Sequence, residues 1–372
     1  MCCAVSPART GCCSAWPVRR GWSGCSPLPG PWEWDVKRLA ASLEVAGRDN
    51  GYAGKDRREI VAATVASYRR AMRNFAGMTN LEVWYAHADV DRVRAEFEAQ
   101  MKARQRKLMD KAMAKARTHA SMQEVAKLTH LVDGRPQIIA DPPLLVPITD
   151  LLPGQTDQAA FQAQLKDLIA RYRRTLETDR RFLLETFEYA DLARKVVGVG
   201  SVGTRCWIVL MLGRDNADPL FLQVKEAETS VLSRFAGASK YTNQGQRVVA
   251  GQRLMQATSD IFLGWQRTEA GLDGKQRDFY VRQLRDWKFS MPIEITVPRG
   301  MRIYGQMCGW TLARAHARSG DRIAIAAYLG GADVFDQAIT RFAAAYADQN
   351  ERDHKSLVDA VASGRITAER DM

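Results

Sequence analysis

Three glycines, Gly198, Gly200 and Gly203, with Ser201 between the last two, form a Gly-x-Gly-x-x-Gly pattern. They lie in the stretch KVVGVGSVGTRCWIVLMLGRDNADPLFLQVKEA, residues 195–227. Glycines at this spacing let a backbone run close to phosphates and donate N–H groups to them. Lys225 follows inside the run LFLQVKEA. A cation inside an apolar strand is costly to bury unless it meets an anion, so Lys225 is more informative than the glycines. The chemistry these residues suit is polyphosphate binding.

Two loop types share the glycine pattern. A dinucleotide fold needs a helix directly after the glycines, because the helix N-terminus holds the pyrophosphate. Here Gly203 is followed by TRCWIVLML, rich in strand formers. The expected arrangement is therefore a hairpin closed by the glycines. A kinase-type clamp adds a lysine on the next strand, the position of Lys225. Other chemistries lack their residues. His87, His119, His130, His316 and His354 are scattered and form no His-Glu-x-x-His pattern, and there is no Gly-x-Ser-x-Gly elbow. Cys206 and Cys308 lie in apolar runs and read as buried thiols.

The elements that must position this hairpin alternate in period along the chain. Asp35 reads as the cap of a first helix that stops near Gly51, and a second runs near 55–76 with Ile60, Val61, Thr64, Tyr68, Met72 and Phe75 on one face. The proline-rich stretch around 133–155 reads as a connector with one or two short strands, followed by one long helix over 157–187. From 193 the period becomes that of strands: RKVVGVG, TRCWIVLML and LFLQVKEA. A helix over 244–258, a strand at 279–284 and helices to the end complete the order. HARSGD, His316 to Asp321, reads as a helix end and not as a catalytic Asp.

The chain has 372 residues, a formal net charge of +12 and 46% hydrophobic residues, enough for a sizeable core. The excess of cations suits phosphates, nucleic acid or acidic headgroups. Lys107, Lys111 and Lys115 stack at i, i+4 on a basic helix, but no aromatic residue interleaves from 101 to 120. That stripe reads as a solvated face, with nucleic-acid binding as the alternative. No apolar run approaches the roughly 18 residues of a membrane helix, and no secretory leader is visible, so the expected compartment is the cytoplasm. Residues 1–27 hold five cysteines, two adjacent pairs among them, and show no period. They are expected to be unstructured and without a native role.

The segments LPGPWEWDVKRLAAS, VGVGSVGTR, FLQVKEA, GQRLMQATSDIFLGW, FYVRQLRDWK and GWTLARAHARSGD together resemble a bacterial family, domain of unknown function 2252. The resemblance spans about Leu28 to Ile366. It implies an α+β, two-lobed, protein-kinase-like fold in circularly permuted order, similar to aminoglycoside phosphotransferases. Residues 28–192 would be mainly helical, 193–290 the β-meander lobe on the nucleotide side, and 291–367 C-terminal helices. ATP and Mg²⁺ are the implied ligands, held through Gly198, Gly200, Ser201, Gly203 and Lys225. The implied catalytic motif, Gly-Asp-x-His-x-x-Asn, falls before Leu28, yet residues 1–27 contain no Asp, Glu, His or Asn. The helix over 244–258 also lacks the glutamate that pairs a kinase lysine, which leaves Glu226 and Glu228 as the nearest carboxylates in sequence. The expectation is nucleotide binding without phosphate transfer, with a non-enzymatic interaction module as the alternative.

Overall fold

A computed structural model describes residues 28, 30–87, 128–152, 158–196, 204–269, 274–284 and 292–367. The chain is α+β. In order it forms α1 (Glu33–Asp49), α2 (Gly54–Ala76), α3 (Asn80–Tyr85), β1 (Thr129–Val132), β2 (Arg135–Ile138), β3 (Leu145–Pro147), α4 (Ile148–Leu151), α5 (Gln158–Arg173) and α6 (Thr178–Glu185). Then follow β4 (Glu188–Lys195), β5 (Cys206–Leu212), β6 (Pro219–Glu226), α7 (Ser233–Ala236), α8 (Gln244–Met255), β7 (Gly264–Thr268) and β8 (Arg277–Gln283). Three helices close the chain: α9 (Pro298–Ser319), α10 (Arg322–Leu329) and α11 (Val334–Ala362). No helix among the described residues is long and apolar enough to cross a membrane.

The helical core rests on heptad-like spacing. Val36, Ala40 and Leu43 of α1 meet Ile60, Val61, Val65, Tyr68 and Met72 of α2, and Met301, Leu312 and Ala313 of α9. Helices α2 and α9 approach closely because Gly309 faces α2. A Cβ on Gly309 would lie 2.3 Å from the Thr64 carbonyl oxygen. The bidentate pair Arg69–Asp336, at 2.8 to 3.2 Å, ties α2 to α11. Asp35 does not cap α1 as its sequence position suggests. It sits in the first turn and is 1% exposed, while Trp32 occupies the cap position without a side-chain bond. Tertiary packing claims the carboxylate, as described below.

The six-stranded sheet has the order β3-β4-β5-β6-β8-β7, antiparallel throughout. Its β part begins earlier than residue 193, because β4 starts at Glu188 and β3 joins its edge. Strand β7 was not legible in the sequence: GWQRT is short, and its pairing with β8 decides its conformation. The long helix expected over 157–187 is two helices. Thr175 lies in the break between them; its hydroxyl donates to the Tyr172 carbonyl and accepts from the Trp265 N–H of β7. The sheet thus claims a residue that a continuous helix would direct elsewhere.

Each sheet face has its own core. On one face, Leu192, Val209, Met211, Leu222 and Val281 pack under Leu165, Tyr172 and Leu176 of the α5 region. On the other, Ala193, Ile208, Leu210 and Phe221 pack with Ile138 of the β1–β2 hairpin, backed by Leu128 and Ile139. Helix α8 crosses the β7–β8 end. Gly245 permits this, since a Cβ there would lie 2.0 Å from the Phe279 carbonyl oxygen. Its C-terminal carbonyls, Met255 and Gln256, accept from Arg314 and Arg318 of α9.

Candidate functional site

Lys225 is the penultimate residue of β6. Cross-strand register places Cys206, Lys225, Tyr280 and Trp265 in one row across β5, β6, β8 and β7. Residues directly opposite in a sheet share a face. Ala193 pairs with Ile208, so Lys195, two residues on in β4, shares the face of Cys206, two residues back in β5. Arg282 and Gln223 form a pair on the next row of the same face.

The surroundings of the Cys206 thiol follow from this grouping. Burial pushes the Cys206 thiol up from its usual range, while Lys225, Arg282, a hydrogen bond with Gln223, and Lys195 act in the opposite direction. Three cations from three strands therefore act on one buried sulfur. Arg282 donates from Nε and Nη2 to the Gln223 side-chain oxygen, at 3.2 and 3.0 Å. That acceptor is neutral, so it orients the guanidinium without cancelling its charge.

Among the five residues expected to bind phosphate, the described structure places Lys225; Gly198, Gly200, Ser201 and Gly203 lie outside the described residues, as do Lys107, Lys111, Lys115 and residues 1–27. The segment that carries the glycines joins β4 to β5, so it leaves from Lys195 and returns at Cys206, beside the row of Lys225. Sequence reading missed Lys195, Gln223 and Arg282. Their alternation with apolar neighbours was visible, but their convergence depends on strand register.

Of the two carboxylates nearest Lys225 in sequence, the Glu226 side chain is engaged by Arg277 and Arg205. Glu226 takes the opposite face by strand alternation and bonds Arg277 at 3.0 Å and the Arg205 N–H at 2.8 Å. Glu228 is exposed, and its backbone carbonyl accepts from Arg247 of α8. Helix α8 contains no Asp or Glu. A recess of about 300 Å³ lies at the exit of β6, lined by Glu226, Glu228 and Asp278 against Arg277. Its net acidic lining has the wrong sign for phosphate.

The HARSGD motif serves structure. Asp321 accepts from the Ile323 and Ala324 N–H groups and caps α10. His316 is fully buried between Tyr68, 2.8 Å from Nδ1, and Asp35, 3.1 Å from Nε2. A neutral ring with Nε2–H donating to Asp35 Oδ2 and Nδ1 accepting from the Tyr68 hydroxyl uses both ring nitrogens. His316 is 0% exposed, and Tyr68 and Asp35 are 1% exposed each.

Burial pushes the His316 pKa down to about 3. Asp35 favours the imidazolium, but Nδ1 is already used as an acceptor and the ring meets no water. The unfolded state takes up a proton below pH ~6.5 that the folded state refuses. Stability therefore falls as pH drops from 6.5 towards 3, by up to about 1.4 kcal/mol per pH unit. Urea midpoints between pH 7 and 4 should show a shallower pH slope in His316→Gln than in wild type. Equal slopes would remove His316 from the acid response.

A family model described as an uncharacterised protein conserved in bacteria, DUF2252, matches residues 27–360. The chain belongs to the DUF2252 family. The match takes in the whole sheet, the helical core and both Lys225 and His316. No curated protein and no solved structure shows a significant match.

Proposed function

We propose that this DUF2252 chain binds the phosphates of ATP on the sheet face that carries Lys225. The observation that carries the reading is the convergence of Lys195, Lys225 and Arg282 on one face, beside the segment that holds the glycines. The order of elements supports it. A glycine-bearing hairpin, β4–β5, precedes the lysine strand β6, then helix α8, then β7 and β8. Protein kinases build their phosphate side from a glycine-rich loop, a lysine on the third strand and the helix that follows. On this reading the fold is kinase-like and permuted, with a phosphate-side β lobe and a helical lobe.

The cations fit phosphate oxygens. The Mg²⁺ that accompanies ATP would supply charge neutralisation when bound. Among the described residues no three His, Cys, Asp or Glu side chains gather to hold such an ion. A nucleotide-dependent interaction module is the alternative reading for this polypeptide. The absence of a carboxylate on α8 favours the same view, since a kinase helix uses one to hold its lysine.

Lys225→Ala should reduce the ATP-induced thermal shift, measured with and without Mg²⁺. Equal shifts in wild type and variant would remove Lys225 from the site. No shift in either would overturn the nucleotide-binding reading and leave only an interaction module that takes no nucleotide.

A further inference from the structure

The row next to Lys225 decides what else a ligand could place on the sheet. It consists of Ala193, Ile208, Gln223 and Arg282, paired in register across β4, β5, β6 and β8. In the kinase pattern Val-Ala-Ile-Lys, a small alanine stands two residues before the lysine. Gln223 stands there in this chain. A base lying on the sheet inward of Lys225 would rest on this row.

That row is closed. Ala193 and Ile208 are 0% exposed and Gln223 is 4% exposed. Ala193 and Ile208 belong to the core that Ile138, Leu128 and Ile139 cover. Arg282 is bonded over Gln223. At the far end of the first row, Arg253 lies over the Trp265 ring, 6.0 Å from its centroid. What the face presents is charge: Lys195, Lys225 and Arg282. Among the described residues neither Lys195 nor Arg282 forms an ion pair with a carboxylate.

We infer that the site reads the polyphosphate chain itself, as a linear triphosphate, and stacks no purine on the sheet. The inference rests on the phosphate-binding reading above and narrows it. Its ligand class is a compact polyanion, which a nucleoside triphosphate and inorganic triphosphate present equally. Arg282 becomes a specificity-determining residue positioned by Gln223.

Isothermal titration of the wild-type chain with ATP, GTP, inorganic triphosphate and adenosine tests this. Inorganic triphosphate and GTP should bind within about threefold of ATP, and adenosine should not bind. Arg282→Gln should weaken ATP and inorganic triphosphate by the same factor, about tenfold, because both lose the same charge-assisted contact. ATP binding more than about tenfold tighter than inorganic triphosphate would overturn the inference while the phosphate-binding reading stands. Adenosine binding would do the same. A chain that binds neither ATP nor inorganic triphosphate would overturn both.

Discussion

Asp336→Ala should destabilise the fold by about 3–5 kcal/mol, the range for breaking a buried ion pair from one side. Asp336 receives Arg69 Nε at 3.0 Å and Nη2 at 2.8 Å, and both side chains are almost fully enclosed. Arg69 Nη1 also donates to the Gly331 carbonyl at 2.7 Å, so the guanidinium cannot swing out to water without a second loss. Removing the carboxylate strands a buried cation between α2 and α11. Replacing both partners, as Arg69→Met with Asp336→Leu, should recover much of the loss, because no charge then remains to be buried. Urea unfolding of the single and double variants measures this. A single-variant loss under about 1 kcal/mol would mean that the pair is wet and weak.

Gly309→Ala should cost about 3 kcal/mol, at the upper end for overpacking. The added methyl would sit 2.3 Å from the Thr64 carbonyl oxygen and 3.2 Å from the Tyr68 nitrogen. Both are backbone atoms of α2, so relief requires the helices to separate. Helix propensity alone points the other way, since Ala is better than Gly in a helix interior by about 1 kcal/mol. The sign of the measured change therefore discriminates between close packing and propensity. Stabilisation by Gly309→Ala would show that α2 and α9 do not meet as closely as described. The same movement would disturb Tyr68, so the variant should also lose part of the acid response assigned to His316.

Helices were legible where one apolar face meets one partner. The second helix, expected over 55–76, runs Gly54–Ala76, and its named face is buried. Strands β5 and β6 were legible for the same reason, as runs of β-branched and aromatic residues. Asp35 was misread because N-cap statistics describe local bonds, whereas a histidine 281 positions away captures this carboxylate. Of the strand expected in RKVVGVG, Arg194 and Lys195 end β4, which begins at Glu188, and residues 197–200 lie outside the described residues. The long helix over 157–187 breaks at Thr175 because β7 needs that hydroxyl. None of these long-range claims leaves a mark in local sequence.

The site follows the same rule. Lys225 was legible because a lone cation interrupts an apolar run. Arg282 and Lys195 were not, because each belongs to a different strand and only register brings them to Cys206. Family membership was legible from long motifs spread over the chain, and the family model covers the same range.

The measurement that bears most directly on the central claim is an isothermal titration of ATP into wild type, Lys225→Ala and Glu228→Ala at one fixed salt concentration. Lys225 lies on the cationic face, whereas exposed Glu228 lines the acidic recess at the exit of β6. Lys225→Ala should weaken binding by at least about tenfold, or 1.4 kcal/mol, while Glu228→Ala should leave it within about twofold. Equal affinities for wild type and Lys225→Ala, or a loss on Glu228→Ala alone, would contradict the claim.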